Sequence, residues 1–523
     1  MRRMHPSVQR LYDGMSHLLG NHKQSDLARL LGETSQQIHA WERRGVSERG
    51  ALKVQEQHGI NATWILNGSG TKLILQPSTA QSEAGILERV RTALRLASVS
   101  SIAQLVAALG LTAEQVATAL AALNRRGEAL AAAGPGEPWV APRLVPDITG
   151  TGTVPVFQVH AGGDIDEFGT LVPTTHGRYW MEERAGVNQL HDGLPWFLQD
   201  MRPQGFLGRS FALAHPALQF PPRPDLWTED HVLRALALAG EALPGNLIVG
   251  ARSFERFMNR VAPERAAVQR YPELAAAAMQ GAAPGSFAGG EQPKFSCVRE
   301  DGVHVLVKFS PPQDTAVGQR WADLLVCEHL ALEQLGAEGI SAARTRIYRG
   351  GGRTFLGVER FVGTMQGRIR MVSLQAYDSE YVGQIDNWAA TAERMQRQNL
   401  LTAEDAQTLR FLEVLGLAIA NTDRHYGNVS LLIDAAGDWK LAPAYDQLPM
   451  HYAPVAGEIV RREYPTDLQF RAETRSVWSS ALAAGLRFWN RVATDESVSA
   501  EFRSLAAGTH APALHRLLDA TPT

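Results

Sequence analysis

Apolar residues recur at helical spacing through the first 75 positions of the chain. The face Leu27–Leu31 predicts one short helix, which Gly32 ends. Thr34 followed three residues later by Gln37 is the sequence of a capping box, so we expect a second helix to begin there. Two short helices joined by a tight turn containing glycine are typical of a helix-turn-helix unit.

The first turn of this second helix carries side chains that suit DNA. Glutamine can form two hydrogen bonds with adenine in the major groove, and arginine near the end of the helix can reach phosphates. The candidate DNA-binding residues are Ser35, Gln36, Gln37, Arg43 and Arg44.

Residues 1–75 close on the motif Trp64-Ile65-Leu66-Asn67-Gly68. With this motif the segment resembles the DNA-binding domain of phage repressors, which implies DNA as a partner and favours a dimer on a two-fold operator. The charge agrees, because these residues contain ten Lys/Arg and six Asp/Glu, a balance of +4 that leaves −7 on the rest of the chain. A helical packing module that binds nothing is the alternative.

A second helical pattern covers residues 82–133, with a turn at Gly110–Thr112. It fits a second helix-turn-helix, or a helical spacer or dimerisation unit, because the segment is rich in alanine and nearly balanced in charge. Glycine and proline then cluster over residues 134–152, which predicts an interdomain linker.

Beyond residue 153 the pattern changes to short strands. Val154–Val159 and Val303–Phe309 are examples, and Asp301-Gly302 before the second one predicts a hairpin turn. Helical spacing returns further along. We therefore expect a lobe containing a sheet over residues 153–370 and a helical lobe over residues 371–523, in a multidomain α+β protein.

Composition bounds the class of protein. A length of 523 residues suits about three domains, and 45% apolar with 20% charged residues is the balance of a folded protein. The sequence has no run of about 18 apolar residues and no apolar stretch typical of a signal peptide. Cys297 and Cys327 alone make no disulfide framework. We expect a protein of the cytoplasm with no membrane partner.

The candidate chemistry is concentrated in Asn421–Asn428, between an apolar helical run and a predicted hairpin. Asp423, Asn428 and, beyond the hairpin, Asp446 form a set that suits phosphoryl transfer. One aspartate can orient the attacking hydroxyl, while the asparagine and the second aspartate hold magnesium. Capping of loops is the ordinary role of such residues, and a metal site using His425 is a third interpretation.

Two upstream features favour phosphoryl transfer. Ser286–Lys294 is a glycine-rich stretch whose small residues, among them Gly289 and Gly290, let backbone N–H groups approach phosphate oxygens. It leads into a predicted strand with Lys308 among apolar neighbours, where an ammonium group is costly unless a partner such as phosphate uses its charge. An ordinary turn and an edge-strand lysine are the alternatives.

Taken in order, these motifs resemble the HipA family of serine/threonine kinases, toxins of bacterial toxin–antitoxin pairs, and within it the YjjJ-like subfamily. The segments that carry the resemblance are Ser286–Lys294, Val358–Phe361, Asn421–Asn428 and Leu441–Asp446. The resemblance implies a two-lobed HipA-like, protein-kinase-like domain after the two helix-turn-helix-like segments, and it implies ATP and Mg²⁺ as cofactors.

The resemblance also implies roles for the central residues. Asp423 would be the catalytic base, and Asn428 and Asp446 would bind magnesium. Lys308 would hold the ATP phosphates together with the backbone of Gly289 and Gly290. The acidic partner of the lysine stays open among three residues of the next helix, which are Asp323, Glu328 and Glu333.

Three further roles follow from the same resemblance. Glu359 and Phe361 would contact adenine at the hinge between the lobes. Ser286 would be a site of autophosphorylation that inactivates the kinase.

The predicted function is that of an ATP- and Mg²⁺-dependent serine/threonine protein kinase, a toxin of a type II toxin–antitoxin system with a fused DNA-binding head. Its partners would be a protein substrate, DNA, an antitoxin and a second copy of the chain, in the bacterial cytoplasm and in association with the nucleoid. Two alternatives stay open. One is a DNA-binding transcriptional regulator with an inactive or secondary kinase fold, and the other is a small-molecule phosphotransferase.

Overall fold

The structure is a computed structural model that describes residues 4–15, 24–73, 82–132, 138–148, 152–243, 245–260, 265–280, 292–362, 367–433, 438–464 and 468–520. The chain divides into two compact units. One is Met1–Pro155 with Gly169–Leu194, and the other is Val156–Phe168 with Pro195–Thr523.

Five helices form the N-terminal helical segment. They are α1 (Pro6–Met15), α2 (Gln24–Leu31), α3 (Ser35–Arg44), α4 (Glu48–His58) and α5 (Ala62–Asn67). The predicted helix pair is α2 and α3, joined through Gly32 at a φ of +59°. Ile38 and Trp41 of α3 are buried in the core of the segment. Thr34 begins α3 by accepting a hydrogen bond from the Gln37 N–H at 3.2 Å, which is one half of the predicted capping box.

A helical segment with a small sheet follows. Its elements are α6 (Glu83–Ala97), β1 (Val99–Ser100), α7 (Ile102–Leu109), α8 (Ala113–Arg125), β2 (Leu130–Ala131) and β3 (Trp139–Val140). The antiparallel strands lie in the order β1-β3-β2. A helix-turn-helix followed by a two-stranded hairpin is the element order of a winged helix. Both α7 and α8 begin with a complete capping box, at Ser101 and Thr112.

The strand β3 corrects part of the predicted linker at residues 134–152. Val140 is only 1% exposed and packs in an apolar cluster with Ala132 and Trp180. Burial of apolar side chains therefore outweighs the local density of glycine and proline at this point.

No single helix in the described stretches is both long enough and apolar enough to span a membrane. Helices α7 and α8 reach the length and hydropathy of a span only when taken together, and the chain bends by 115° between them.

Short antiparallel strands follow the small sheet, as predicted. They are β4 (Val154–Val159), β5 (Ile165–Pro173), β6 (Arg178–Glu183), β7 (Asn188–Asp192) and β8 (Leu247–Val249). Gly169–Pro173 pairs with Tyr179–Glu183, and β6 pairs in turn with β7. In the other unit, Val156 of β4 lies opposite Val249 of β8.

Four helices lie in a region where the sequence pattern indicates mainly strands and turns. They are α9 (Gly205–Ala214), α10 (Glu229–Ala239), α11 (Ala251–Met258) and α12 (Tyr271–Met279). Each is short, and the segments after α9 and α10 are rich in proline or glycine, so the helical period never extends over a long window. The period is nevertheless present in α10, where Val232, Leu233 and Leu236 are fully buried.

A five-stranded sheet carries Lys308. Its strands are β9 (Arg265–Ala266), β10 (Lys294–Arg299), β11 (His304–Phe309), β12 (Thr345–Gly350) and β13 (Arg353–Glu359), in the spatial order β12-β13-β11-β10-β9. The long helix α13 (Ala316–Ala337) packs against this sheet. Because β11 is the central strand, Lys308 is not an edge-strand lysine that reaches solvent.

The chain beyond residue 371 is mainly helical. Its elements are β14 (Met371–Ser373), α14 (Leu374–Tyr381), α15 (Trp388–Arg397), α16 (Ala403–Ala418), β15 (Ser430–Ile433), β16 (Trp439–Leu441), α17 (Trp478–Thr494), α18 (Ala500–Leu505) and α19 (Ala511–Asp519). The predicted hairpin is β15 and β16, to which β14 adds an antiparallel third strand. The loop that contains Asp423 therefore leaves α16 and enters β15, and Asp446 follows β16.

Candidate active site

The side chain of Lys308 is buried and forms an ion pair with Glu328 of α13. The Lys308 ammonium donates to both carboxylate oxygens, at 2.7 and 2.8 Å. Glu328 is therefore the acidic partner that the sequence leaves open. Asp323 instead accepts from Ser499 at the start of α18, and Glu333 forms an ion pair with α17. Residues five apart on an α-helix point about 140° away from each other, so only one of the three can face the sheet.

Asp446 approaches the same lysine from the other side. Its carboxylate forms an ion pair with Lys308. Burial alone would raise the pKa of Asp446, but the charges of Lys308 and Lys294 outweigh it and hold the pKa below its ordinary value. Burial would likewise lower the pKa of Lys308, but the Asp446 and Glu328 carboxylates keep it above the ordinary value. The lysine is therefore charged.

A single amide side chain joins the two predicted acids. Asn421, which is fully buried, accepts a hydrogen bond from the Asp423 N–H at 3.0 Å through its Oδ1. Its Nδ2 donates to the backbone carbonyl of Asp446 at 3.4 Å. Asn421 was not predicted as a site residue. The signal that could have found it is its position at the start of a polar loop directly after a buried apolar helix.

Arg424 anchors the same loop to the preceding helix. Its Nε donates to Glu413 of α16 at 3.3 Å, and another of its nitrogens donates to the Asn421 carbonyl. Tyr445 supports the far end of the loop, because its hydroxyl donates to the Gly427 carbonyl at 3.0 Å. The loop that carries Asp423 is thus fixed from both ends.

The oxygen atoms of Asp423 and Asn428 differ in their surroundings. The side chain of Asp423 is 48% exposed, so its carboxylate is reachable from solvent. Asn428 Nδ2 donates to the Asp423 carbonyl at 2.8 Å, so the amide group caps the loop through its nitrogen and leaves its oxygen for another partner. Loop capping and a role in catalysis are therefore compatible for Asn428.

The donor set around this loop fits magnesium. The amide oxygen of Asn428 and the carboxylate of Asp446 are hard oxygen ligands of the kind that Mg²⁺ prefers. The alternative site on His425 is less suited. Its Nε2 lies 3.6 Å from Asp423 Oδ1, but no group of three His, Cys, Asp or Glu residues that could hold a metal occurs in the part of the chain that the structure describes.

Comparison with known proteins shows the family to which the chain belongs. Residues 151–258 match the family model of the YjjJ-like toxin middle domain, and residues 286–510 match that of the HipA-like C-terminal domain. The chain is 35% identical to Toxin YjjJ of Escherichia coli (strain K12) over 365 residues, which cover 68% of this chain and 82% of that protein. The chain belongs to the family of YjjJ-like, HipA-like toxins.

Two solved structures are similar at low identity. One is the complex of the Shewanella oneidensis MR-1 toxin–antitoxin proteins HipA and HipB with operator DNA, with a TM-score of 0.46 at 13% identity over 70% of this chain and 100% of that chain. The other is the Helicobacter pylori proinflammatory kinase CtkA, with a TM-score of 0.33 at 12% identity over 45% of this chain and 95% of that chain.

The predicted hinge residues lie at and just beyond the end of β13. The Glu359 carboxylate is engaged by Arg299 at 3.0 Å, so its side chain is already partnered. The ring of Phe361 faces that of Tyr445, with centroids 6.1 Å apart. Phe361 thus connects the sheet with the residue that precedes Asp446. Contact of Glu359 and Phe361 with adenine stays a prediction.

Three predicted site residues, Ser286, Gly289 and Gly290, lie outside the described residues. The chain is described again from residue 292, and Lys294 begins β10. Lys294 is 3% exposed and lies opposite Lys308 in the strand register. It was not assigned a role from the sequence, although it is the last residue of the glycine-rich stretch.

The candidate DNA-binding residues share one surface of α3. Ser35, Gln36, Gln37, Arg43 and Arg44 are all exposed, while Ile38 and Trp41 of the same helix are buried. The polar face predicted from the helical spacing is therefore present, and DNA binding by it stays a prediction.

Proposed function

We propose that this toxin-family protein is an ATP- and Mg²⁺-dependent serine/threonine protein kinase of HipA type, acting as the toxin of a type II toxin–antitoxin system. The observation that carries the proposal is the cluster of Lys308, Glu328 and Asp446, tied to Asp423 by the amide of Asn421. A buried strand lysine held by a helix glutamate, beside a metal-binding aspartate, is the arrangement that positions nucleotide phosphates in kinases.

Each residue then has a defined task. Lys308 binds the phosphates together with the backbone N–H groups of Gly289 and Gly290, and Glu359 and Phe361 contact adenine at the hinge. Asn428 and Asp446 hold magnesium, which neutralises the charge on the transferred phosphoryl group.

Asp423 acts on the substrate side of the proposed site. It accepts the proton of the attacking serine or threonine hydroxyl, because its carboxylate is exposed and its backbone is fixed by Asn421. Ser286 is proposed as a target of autophosphorylation.

The test is transfer of labelled phosphate from ATP in the presence of magnesium. Wild type, Asp423→Ala and a control, Asp519→Ala in the exposed end of α19, are compared for label incorporated into the protein itself and into a lysate. We expect wild type and control to transfer label equally and Asp423→Ala to lose at least 99% of the activity. Intact mass after incubation with ATP locates any modification of Ser286. Equal transfer by all three, or none by wild type, would refute the proposal.

A second candidate function is DNA binding by the head, favoured by the exposed polar face of α3 with Arg43 and Arg44. The test is the salt-dependent mobility shift of DNA from upstream of the chain's own gene. Gln36→Ala with Gln37→Ala should relax sequence preference, and Arg43→Ala with Arg44→Ala should weaken binding to all sequences and flatten the salt dependence. Unchanged binding by both variants would exclude α3 as the contact surface.

The remaining partners belong to the same proposal. The solved HipA complex contains HipB and operator DNA, and we propose an antitoxin and a protein substrate as partners here too. A homodimer in the bacterial cytoplasm, associated with the nucleoid through the DNA-binding head, completes the proposal. Sedimentation of the full chain with and without operator DNA tests the dimer.

A further inference from the structure

Two arginines lie over one aromatic ring, that of Phe257. Arg260 and Arg368 both lie over Phe257, with their guanidinium carbons 3.5 and 5.0 Å from the ring centroid. The two carbons are therefore no more than 8.5 Å apart, the sum of these distances. Two like charges held this closely repel each other unless something compensates for them.

Arg360 adds a third positive charge. It lies between the hinge residues Glu359 and Phe361, and its N–H donates to the His304 carbonyl at 2.9 Å. Its guanidinium has no hydrogen-bond or ion-pair partner among the described residues. Burial lowers the pKa of Arg360 to about 10, and burial with the charges of Arg360 and Arg260 lowers that of Arg368 to about 10. Burial, followed by the charges of Arg360 and Arg368, lowers the pKa of His304.

Arg368 contacts three backbone carbonyls, which carry no net charge to balance its guanidinium group. It donates to the backbone carbonyl of Glu241 at 2.5 Å, and to those of Leu243 and Gly245 at 3.5 Å. The carboxylate of Glu241 forms its ion pair with Arg256 instead, at 2.6 Å. Within the described stretches, no carboxylate forms an ion pair with Arg260, Arg360 or Arg368.

We propose that Arg260, Arg360 and Arg368 form a binding site for a small phosphate-bearing anion, separate from the proposed nucleotide site. A carboxylate would supply one negative charge to three guanidinium groups, whereas a phosphate supplies about two and presents several oxygens to their planar N–H edges. The partial exposure of Arg360 and Arg368 and the exposure of Arg260 leave the cluster open to a ligand.

Titration calorimetry of the full chain with inorganic phosphate, pyrophosphate and acetate, at constant ionic strength, tests the proposal. We expect saturable binding of phosphate and pyrophosphate, one per chain, and much weaker binding of acetate. Arg360→Gln should weaken phosphate binding by about tenfold or more. Arg516→Gln, a matched change of an exposed arginine in α19, should leave it unchanged.

A further variant separates this site from the nucleotide site. Lys308→Met removes the proposed phosphate-binding lysine, and it should leave binding of inorganic phosphate unchanged. Loss of phosphate binding in Lys308→Met, equal binding by Arg360→Gln and wild type, or the absence of saturable binding would overturn the proposal. Arg360→Lys, which keeps the charge and loses the planar fork, should bind phosphate with intermediate affinity.

The folding of the variants is checked by thermal unfolding without phosphate. Arg360 has no side-chain partner to lose among the described residues, so Arg360→Gln is expected to fold. In wild type, phosphate should raise the unfolding temperature, and it should raise it less in Arg360→Gln.

Discussion

Lys294 lies directly opposite Lys308 in the antiparallel pair of strands β10 and β11. Both side chains are buried, and the charge of Lys294 acts on Asp446 and on Glu328. Two ammonium groups thus face two carboxylates at the centre of the candidate site. Because these four groups interact, the loss of one of them should affect the others.

Glu328→Gln should impair the site while leaving the fold intact. The amide has the shape of the carboxylate but leaves Lys308 with Asp446 as its only carboxylate partner among the described residues, so the lysine is drawn towards the proposed metal-binding aspartate. We expect phosphotransfer to fall by about tenfold or more, and the free energy of unfolding in urea to fall by about 1–3 kcal/mol. Glu333→Gln on the same helix, whose carboxylate faces Arg491, is the control and should keep full activity.

Asn421→Ala should lower the rate without changing the requirement for magnesium. The variant loses the hydrogen bonds to the Asp423 N–H and the Asp446 carbonyl, so both acids lose their fixed positions. Asn428→Ala should instead raise the magnesium concentration needed for half-maximal activity. Titrations of activity with magnesium distinguish the two, and a common response in both variants would contradict these separate roles.

Gly416→Ala should disturb the loop that carries Asp423 by displacing the side chain of Arg424. A Cβ at Gly416 of α16 would meet the side chain of Arg424, which anchors the loop. The helix itself gains up to about 1 kcal/mol from alanine, so the free energy of unfolding should change little while activity falls. Gly336→Ala in α13, where a Cβ meets no atom within 4 Å, should stabilise the protein and leave activity unchanged.

His510 should make stability depend on pH. Its ring stacks on Trp489 at 3.7 Å and binds the Tyr452 hydroxyl at 2.6 Å. Burial, with the charge of His451, lowers the pKa of His510 from 6.5 to about 3. The unfolded chain therefore takes up this proton first as the pH falls below 6.5, and the folded state loses up to about 1.4 kcal/mol per pH unit until the folded pKa is reached.

The measurement is urea unfolding at several pH values between 7 and 4. His510→Phe keeps the stacking on Trp489 and removes the titration, so its stability should fall less steeply than that of wild type. His515→Phe, a change of an exposed histidine in α19, should follow wild type. Parallel curves for wild type and His510→Phe would show that His510 does not cause the dependence.

The order of motifs could be predicted from the sequence because each motif is local. Asn421–Asn428, the β15–β16 hairpin and the strand with Lys308 are encoded within a few residues by turns, caps and alternation. The sequence could not predict which of the three acids of α13 pairs with Lys308, because the choice of Glu328 depends on the rotation of that helix against the sheet. The double hydrogen bond of Asn421 was missed for the same reason, since it joins residues 25 positions apart.

The elements that differ from prediction are those whose secondary structure depends on tertiary contacts. Trp139 and Val140 form a strand within the segment predicted as a linker, because Val140 packs in an apolar cluster. The short helices between residues 205 and 279 are stabilised by burial of one face, and each helix has too few turns for its apolar period to be recognised in the sequence. The arginine cluster is invisible in the sequence, because Arg260 follows α11, Arg360 follows β13 and Arg368 precedes β14.

The side chain of Asn421 has a consequence for how sequences of this family can vary in length. It spans from the loop after α16 to the backbone beyond β16, so the bases of that loop and of the hairpin are kept at a fixed separation. Insertions and deletions among relatives should therefore be confined to the connection between β15 and β16. An alignment with gaps between residues 421 and 428, in chains that keep both aspartates, would be unexpected.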